Sequence, residues 1–410
     1  MGFSRFNLSQ SVFQAITSLG YAEPTPVQAQ GIPEALKGRD IRACAQTGTG
    51  KTCVFVIPII EKLIRHPAAT HPSVLILTPT RELAIQITGV THDLIRGSRI
   101  RTVLIMGGAS LHQQIQQLRA QPDIIVATPG RLKDHLNRGT VSLRQIRTLV
   151  LDEADRMLDM GFLPDIRHIL SHIPQERQTM LFSATFGPEI KQLTHQFLKN
   201  PAVVDLSPAS SPEAENVTQM VYPVPQGQKG ALLQALLELG NMTSALIFTR
   251  TKHGADKLVR NLHEWGKNAT VIHANRSMSQ RQQALQGFKD RRYQILVATD
   301  IAARGIDVKD ISHVINYDVP RHPEDYIHRI GRTGRAKAAG EAFTLVSPDE
   351  EPHLRRIEAL LKKQIQRGVI PDFPYWTPPK LFSASAPAHL GQRHLSRSPR
   401  GQFIWGRRHR

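Results

Sequence analysis

Long hydrophobic runs are missing from this 410-residue chain. The longest candidate, CVFVIPIIEKLI, is interrupted by Pro58, Glu61 and Lys62, short of the roughly 20 apolar residues that cross a bilayer. The opening MGFSRFNLSQ holds no apolar signal core. Cysteine is nearly absent: Cys44 and Cys53 are the only two. They are not spaced as metal ligands, and buried reduced thiols are expected, as in the cytoplasm. Acidic residues are also scarce. Against 52 Lys and Arg stand 34 Asp and Glu, a net charge of +18. That excess excludes a strongly cationic partner and suits an anionic one, nucleic acid before a membrane surface, unless it serves solubility alone. Aromatic residues make up 6%, and no aromatic-rich platform for stacking bases is evident in the first 370 residues.

What is present is alternation. Short β-rich runs, SVLILTP (73–79), RTVLIMGG (101–108), DIIVATPG (123–130), RTLVLDEAD (147–155) and MLFSAT (180–185), are separated by helical stretches. This pattern predicts a parallel sheet with helices on both faces. It breaks at the Pro-, Ser- and Gly-rich stretch 207–228, which reads as a linker followed by an entry strand. It restarts with SALIFTRT, ATVIHAN, QILVATD, HVINYDV and EAFTLVS. The expected fold is α/β with two tandem domains at 1–206 and 219–366, a linker at 207–218, and a disordered basic tail at 367–410. Glu350 to Gln366 reads as an amphipathic closing helix. No acidic residue follows Asp372.

Two segments carry chemistry. AQTGTGKT, from Ala45 through Gln46, Thr47, Gly48, Thr49, Gly50 and Lys51 to Thr52, fits a phosphate loop with Ala in place of the first Gly. Glycines let backbone N–H groups converge on phosphate. Lys51 supplies a point charge, and Thr52 a hydroxyl for Mg²⁺. LVLDEAD ends an apolar strand in Asp152, which can hold the Mg²⁺ water shell, and Glu153, which can polarise water. Together they describe a nucleoside triphosphatase. In IHRIGRTGR, Arg329, Arg332 and Arg335 recur every three residues, on one side of a helix or at its end. Arg332 and Arg335 are candidate arginine fingers supplied by the second domain, so hydrolysis would require closure.

With these motifs in order over residues 3–350, the chain resembles the DEAD-box RNA helicases, and most of all the bacterial RhlE-type group. The resemblance implies two RecA-like domains, ATP and Mg²⁺ as cofactors, and RNA as partner. GYAEPTPVQ (20–28) is similar to the family's Q motif, which implies that Gln28 reads adenine and Tyr21 stacks on it, with Phe3 as the upstream aromatic. SAT (Ser183, Ala184, Thr185) resembles the element coupling hydrolysis to strand separation, with His328 in the last motif. In ATDIAARGID, Asp307 would meet the ribose and Thr299 an RNA phosphate. RNA-facing positions implied at strand ends are Pro79, Thr80, Arg81 and Glu82; Gly107 and Gly108; Thr128, Pro129, Gly130 and Arg131; and Thr249 and Arg250. Gly, Thr and Arg suit backbone contact with little base preference. One departure is Met278, where the family carries a Gln three residues before Arg281.

Ribosomal precursors and RNA-decay complexes are family-level partners, and the expected location is cytoplasmic without membrane contact. A second reading is an ATP-gated RNA clamp or scaffold that does not unwind; a DNA helicase fits the motif set less well. His168 and His172 are four apart but lack the other ligands of a zinc site. In the tail, Arg393, Arg397, Arg400, Arg407, Arg408 and Arg410 with Phe403 and Trp405 would bind RNA, or else only solubilise.

Overall fold

The computed structural model describes residues 2–45, 49–67, 70–205, 217–239, 242–303, 311–334 and 340–376. Two seven-stranded sheets organise it. The first comprises β1 (Ile41–Cys44), β2 (Val74–Leu77), β3 (Thr102–Ile105), β4 (Ile124–Ala127), β5 (Thr148–Leu151), β6 (Gln178–Ser183) and β7 (Ala202–Asp205), in the order β3-β4-β2-β5-β6-β1-β7. The second comprises β8 (Val217–Pro223), β9 (Ala245–Thr249), β10 (Ala269–Ile272), β11 (Ile295–Thr299), β12 (His313–Asn316), β13 (Gly340–Val346) and β14 (Gln366–Arg367), in the order β10-β11-β9-β12-β13-β8-β14. Their pairings are parallel.

Continuous apolar runs become central strands because both faces are covered. In β2, Val74 and Ile76 join one core and Leu75 and Leu77 the other. In β9, Ala245 and Ile247 likewise face away from Leu246 and Phe248. This is the period of two expected of a pleated strand. Burying each such Leu or Ile stabilises by roughly 1.5–3 kcal/mol before entropy is subtracted. Both cysteines are buried thiols outside any disulfide. Among the described residues, no helix is long and apolar enough to cross a membrane.

The predicted boundaries shift in three places. Residues 217 and 218, read as linker, begin β8; the rest of that linker, 207–216, lies outside the described residues. The closing helix spans Glu351–Leu361 and stops at Lys362, whose φ of 51° is left-handed. The chain then folds back, with Ile365 N donating to Glu358 Oε1 at 2.8 Å. Third, the predicted disordered tail does not begin at 367. Arg367 pairs with Val221 in β14 and β8, and Phe373 and Tyr375 pack on the core of the second sheet. Partial burial of these aromatics, with Gln228 Nε2 donating to Pro374 O at 2.7 Å and Trp376 N to Gln228 Oε1 at 2.8 Å, holds the segment on the domain. The tail from 377, with its arginines, lies outside the described residues.

Candidate functional site

The strand order divides one sheet edge in two. The carboxyl ends of the adjacent strands β5, β6 and β1 carry the DEAD, SAT and phosphate-loop residues, whereas those of β3, β4 and β2 carry Gly107–Gly108, Thr128–Arg131 and Pro79–Arg81. Ligands of open α/β sheets gather at this edge.

On the first half, Gly50 (φ +87°) caps the helix Lys51–Arg65. An L side chain is strained there, and a Cβ would sit 2.4 Å from Gln28 Nε2. Lys51 is 6% exposed, and its Nζ donates to Ala45 O at 2.7 Å. Thr25 Oγ1 donates to Thr49 O at 2.8 Å, and Gln28 Nε2 to Gly50 O at 3.1 Å. Thr52 lies half-buried in the first turn. Gln46, Thr47 and Gly48 lie outside the described residues. The expectation for Gln28 was an amide presented to adenine. Here it is buried, its Oε1 accepting Thr25 N at 3.0 Å in a capping box and its Nε2 bracing the loop. A helix start needs its N–H groups satisfied, and Gln at the third position does so. Tyr21 is 37% exposed and bonds the Cys53 thiol, which burial pushes up to about 11. Phe3 is packed edge-on to Phe6 inside the first core.

Asp152 and Glu153 are buried. Asp152 N still joins the ladder through Leu77 O, and Glu153 then turns left-handed (φ 52°) to start the helix Ala154–Asp159. A non-glycine residue in that region is uncommon and aims its side chain off the strand line. Burial pushes the Asp152 carboxyl up to about 7, opposed by Lys51 and reinforced by Glu153. Burial acts on Glu153 in the same sense, but Arg156, Lys51 and Arg332 outweigh it and hold that carboxyl below its usual range. Arg156, itself buried, is ion-paired with Glu153. The buried Asp152 carboxylate and the Thr52 hydroxyl in its helix's first turn are oxygen donors of the kind a hard cation such as Mg²⁺ takes.

Asp155, overlooked as a site residue, ties β5 to β6. It accepts Ala184 N at 3.0 Å, Thr185 N at 2.9 Å and Thr185 Oγ1 at 3.2 Å, while Ser183 Oγ donates to Thr185 O at 2.6 Å. Its position three residues after Asp152, on the turn that leaves the strand, was the available signal.

On the second half of the edge, Thr80 caps the helix Arg81–Leu94. Gly108 (φ +84°) lies against the Arg81 guanidinium: a Cβ there would be 2.4 Å from Nη1. Gly107 contacts the same group more loosely. Thr128 and Pro129 are buried at the start of the helix Pro129–Asn137, Gly130 is exposed, and Arg131 Nη1 donates to Ala109 O at 3.2 Å. A buried bridge braces these loops: His135 meets Thr140 Oγ1 at 2.8 Å and Gln114 Oε1 at 3.3 Å, and Gln114 Nε2 donates to Met106 O at 3.1 Å.

In the second sheet, Thr249 is buried, Arg250 exposed and Thr299 half-buried at the ends of β9 and β11. Arg329 lies in the last turn of the helix Pro323–Ile330, which Gly331 ends, and Arg332 follows that end. Arg329 is buried, bonded to Asp300 at 2.6 and 2.8 Å, Asn316 at 3.0 Å and Asp318 O at 2.8 Å, with its guanidinium over Phe248. A buried guanidinium needs such partners, so Arg329 organises the domain from within. Arg332 reaches the field of Glu153 across the domains, and it lines a small cavity with Arg156, His328 and Asp300. Arg335 and Asp307 lie outside the described residues. Arg281 is ion-paired with Glu82 at 2.5 Å, joining the domains. Met278 opens the helix Met278–Lys289, where the neighbouring Gln280 completes a capping box with Ser277. Away from the strand ends, a cavity of about 500 Å³ between Leu136 and Pro174 includes no motif residue. Beside it, the His168 ring lies 4.8 Å from His172 and bonds Asn137.

Residues 25–193 match the DEAD/DEAH box helicase family, and residues 228–337 match the helicase conserved C-terminal domain. The DEAD-box ATP-dependent RNA helicase CshA of Bacillus subtilis (strain 168) is 43% identical over 365 residues, 89% of this chain and 73% of that protein. S. cerevisiae Dbp5 bound to RNA and ADP BeF3 superposes with a TM-score of 0.81 at 29% identity, covering 90% of this chain and 95% of that one. A variant of the same yeast protein bound to a Gle1 variant and IP6 gives 0.73 at 28% identity over the same shares.

Proposed function

Since this chain belongs to the DEAD-box ATP-dependent RNA helicases, we propose that it hydrolyses ATP when RNA brings its two domains together and thereby opens short RNA duplexes or remodels RNA–protein complexes. The observation that carries this reading is Arg332 of the second domain lining one cavity with Arg156 of the first, the residue ion-paired with Glu153. The higher similarity to Dbp5 in its RNA- and nucleotide-bound form supports a closed arrangement.

In this reading Lys51 holds the phosphates and Gln28 with Tyr21 selects adenine. Gln28 would exchange its bond to Gly50 O for the base. Thr52 and Asp152 would hold Mg²⁺, which when bound neutralises phosphate charge. Glu153, aimed by its left-handed backbone, orients water, and Arg332 with Arg335 stabilises the charge that develops on the transferred phosphoryl group. Asp155 couples that event to Ser183 and Thr185, with His328 facing them from the second domain and Asp307 on the ribose. Pro79, Thr80, Arg81, Gly107, Gly108, Thr128, Pro129, Gly130, Arg131, Thr249, Arg250 and Thr299 grip the RNA backbone. The first sheet with its helices, up to Asp205, and the second, from Val217 to Trp376, act as the two moving bodies. The RhlE-like subgroup, a cytoplasmic setting, and ribosomal precursors or decay complexes as targets complete the proposal; the relative reported above carries the CshA name.

The test measures ATPase with and without RNA, beside short-duplex unwinding, for the wild type and Glu153→Gln. RNA should stimulate turnover, and the variant should lose at least about 100-fold in rate while still binding RNA with ATP. Absence of RNA stimulation overturns the reading. Stimulation without unwinding identifies a clamp instead.

A further inference from the structure

Glu350 is 3% exposed and ends the turn Pro348–Glu350 before the helix Glu351–Leu361. Its carboxylate gathers five donors. Arg250 Nη2 lies at 2.5 Å, Val319 N and Ser347 N each at 3.2 Å, and Ser347 Oγ at 3.1 Å; Lys229 Nζ is the fifth. Lys229 is wholly buried, also donates to Tyr317 O at 2.7 Å, and stands 3.8 Å from Asp318 Oδ1. Asp318 Oδ2 in turn accepts Arg250 N at 2.8 Å. Backbone and side chain of Arg250 are thus fixed by two carboxylates, both tied to Lys229.

Buried ion pairs are poor devices for stability, because apolar residues of equal volume do as well or better. Their best-attested use is to fix one arrangement of the groups they join. Here the network has one outward end, the Arg250 side chain, 40% exposed at the carboxyl end of β9. One Nη2 proton meets Glu350, and a guanidinium has four further N–H donors in a fixed plane. Fixing that plane in advance removes the rotamer entropy that a free arginine loses on meeting a phosphate.

We propose that Glu350 is a positioning residue for RNA binding, acting through Arg250 and held in turn by Lys229, Ser347 and Val319. This rests on the reading of Arg250 as an RNA-facing residue. The network also reaches Arg329, which is anchored on Asp318 O, so the grip on RNA and the segment bearing Arg332 share one scaffold.

The experiment is a double-mutant cycle in the full chain. It uses a fluorescent ten-nucleotide single-stranded RNA with a non-hydrolysable ATP analogue, and compares Arg250→Ala, Glu350→Gln and the two combined. Arg250→Ala is expected to weaken RNA binding about five- to tenfold and to reduce the salt slope by about 0.7. Glu350→Gln should produce most of that loss by itself and add nothing in the Arg250→Ala background. Should Glu350→Gln fail to fold because Lys229 is left buried opposite a neutral group, Lys229→Met with Glu350→Gln removes both buried charges and leaves Arg250 unpaired. If Glu350→Gln lowers only the melting temperature, or if the two losses multiply, the inference is overturned while Arg250 remains an RNA contact. If Arg250→Ala changes neither affinity nor salt slope, the reading of Arg250 itself falls, and the inference with it.

Discussion

At the residue scale, the site depends on a few backbone conformations that constrain what the side chains touch. Gly108 has φ +84°, and the Arg81 guanidinium occupies the space a Cβ would need. Gly108→Ala is expected to cost about 1–2 kcal/mol of stability, from the left-handed backbone and the displaced arginine together. It should also weaken RNA binding, because Arg81 is the group displaced. Denaturant midpoints and RNA titrations check both; an unchanged RNA affinity would separate Arg81 from the RNA surface. Much at this scale was legible in the sequence. Lys51, Asp152 and Glu153 stand together because a glycine-rich turn and an apolar strand ending in carboxylates leave the chain few alternatives. Gln28 and Arg329 were less legible. Gln28 was assigned to adenine and Arg329 was given no partner, yet both are held inside, and their partners, Gly50 O and Asp300, are distant in sequence. Nothing in local spacing reports such a pairing.

At the scale of elements, the central strands and the edge strands β3 and β10 were readable, whereas the opposite edges, β7 and β14, were not. β2 is apolar and buried at every position, and β5 is buried at every position and apolar after Thr148. β7, Ala202–Asp205, alternates buried and exposed over four residues, and β14 has only two; such fragments give too few periods to stand out from loop. The helix Pro129–Asn137 shows how an element is held. Its His135 is fully buried between Thr140 and Gln114. Burial first, then Arg131, keeps its imidazole below the ordinary 6.5. The folded protein therefore keeps His135 neutral at a pH where the unfolded chain takes up a proton. Its contribution is full above about 6.5 and declines as pH falls through that value toward the depressed one. His135→Gln should cost about 1–2 kcal/mol near pH 7.5 and should flatten the loss of stability between pH 7 and 5 relative to wild type. Thermal melts across that range test it; parallel profiles would show that His135 is not the titrating group.

At the scale of the whole molecule, the contact of Arg281 with Glu82 bridges the domains. The partners are in separate folding units, so removing one should leave each domain's stability nearly unchanged and act on closure. Arg281→Gln is expected to lower RNA-stimulated ATPase about tenfold, by loss of a largely buried charge pair, with melting unchanged within a degree or two. A fall in melting temperature without a kinetic effect would argue that the pair is structural. Two α/β units were legible from the restart of alternation after 207–228. Their mutual contact was not, because Glu82 and Arg281 are 199 positions apart and neither lies in a patterned run that names its partner. One consequence follows from the division of the first sheet's edge into two neighbouring halves. Sites so placed on one well-packed sheet have little room to influence each other directly, so their linkage passes through the second domain. By thermodynamic reciprocity, whatever factor RNA adds to ATP affinity, ATP must add to RNA affinity, and both factors should shrink toward one together when closure is weakened.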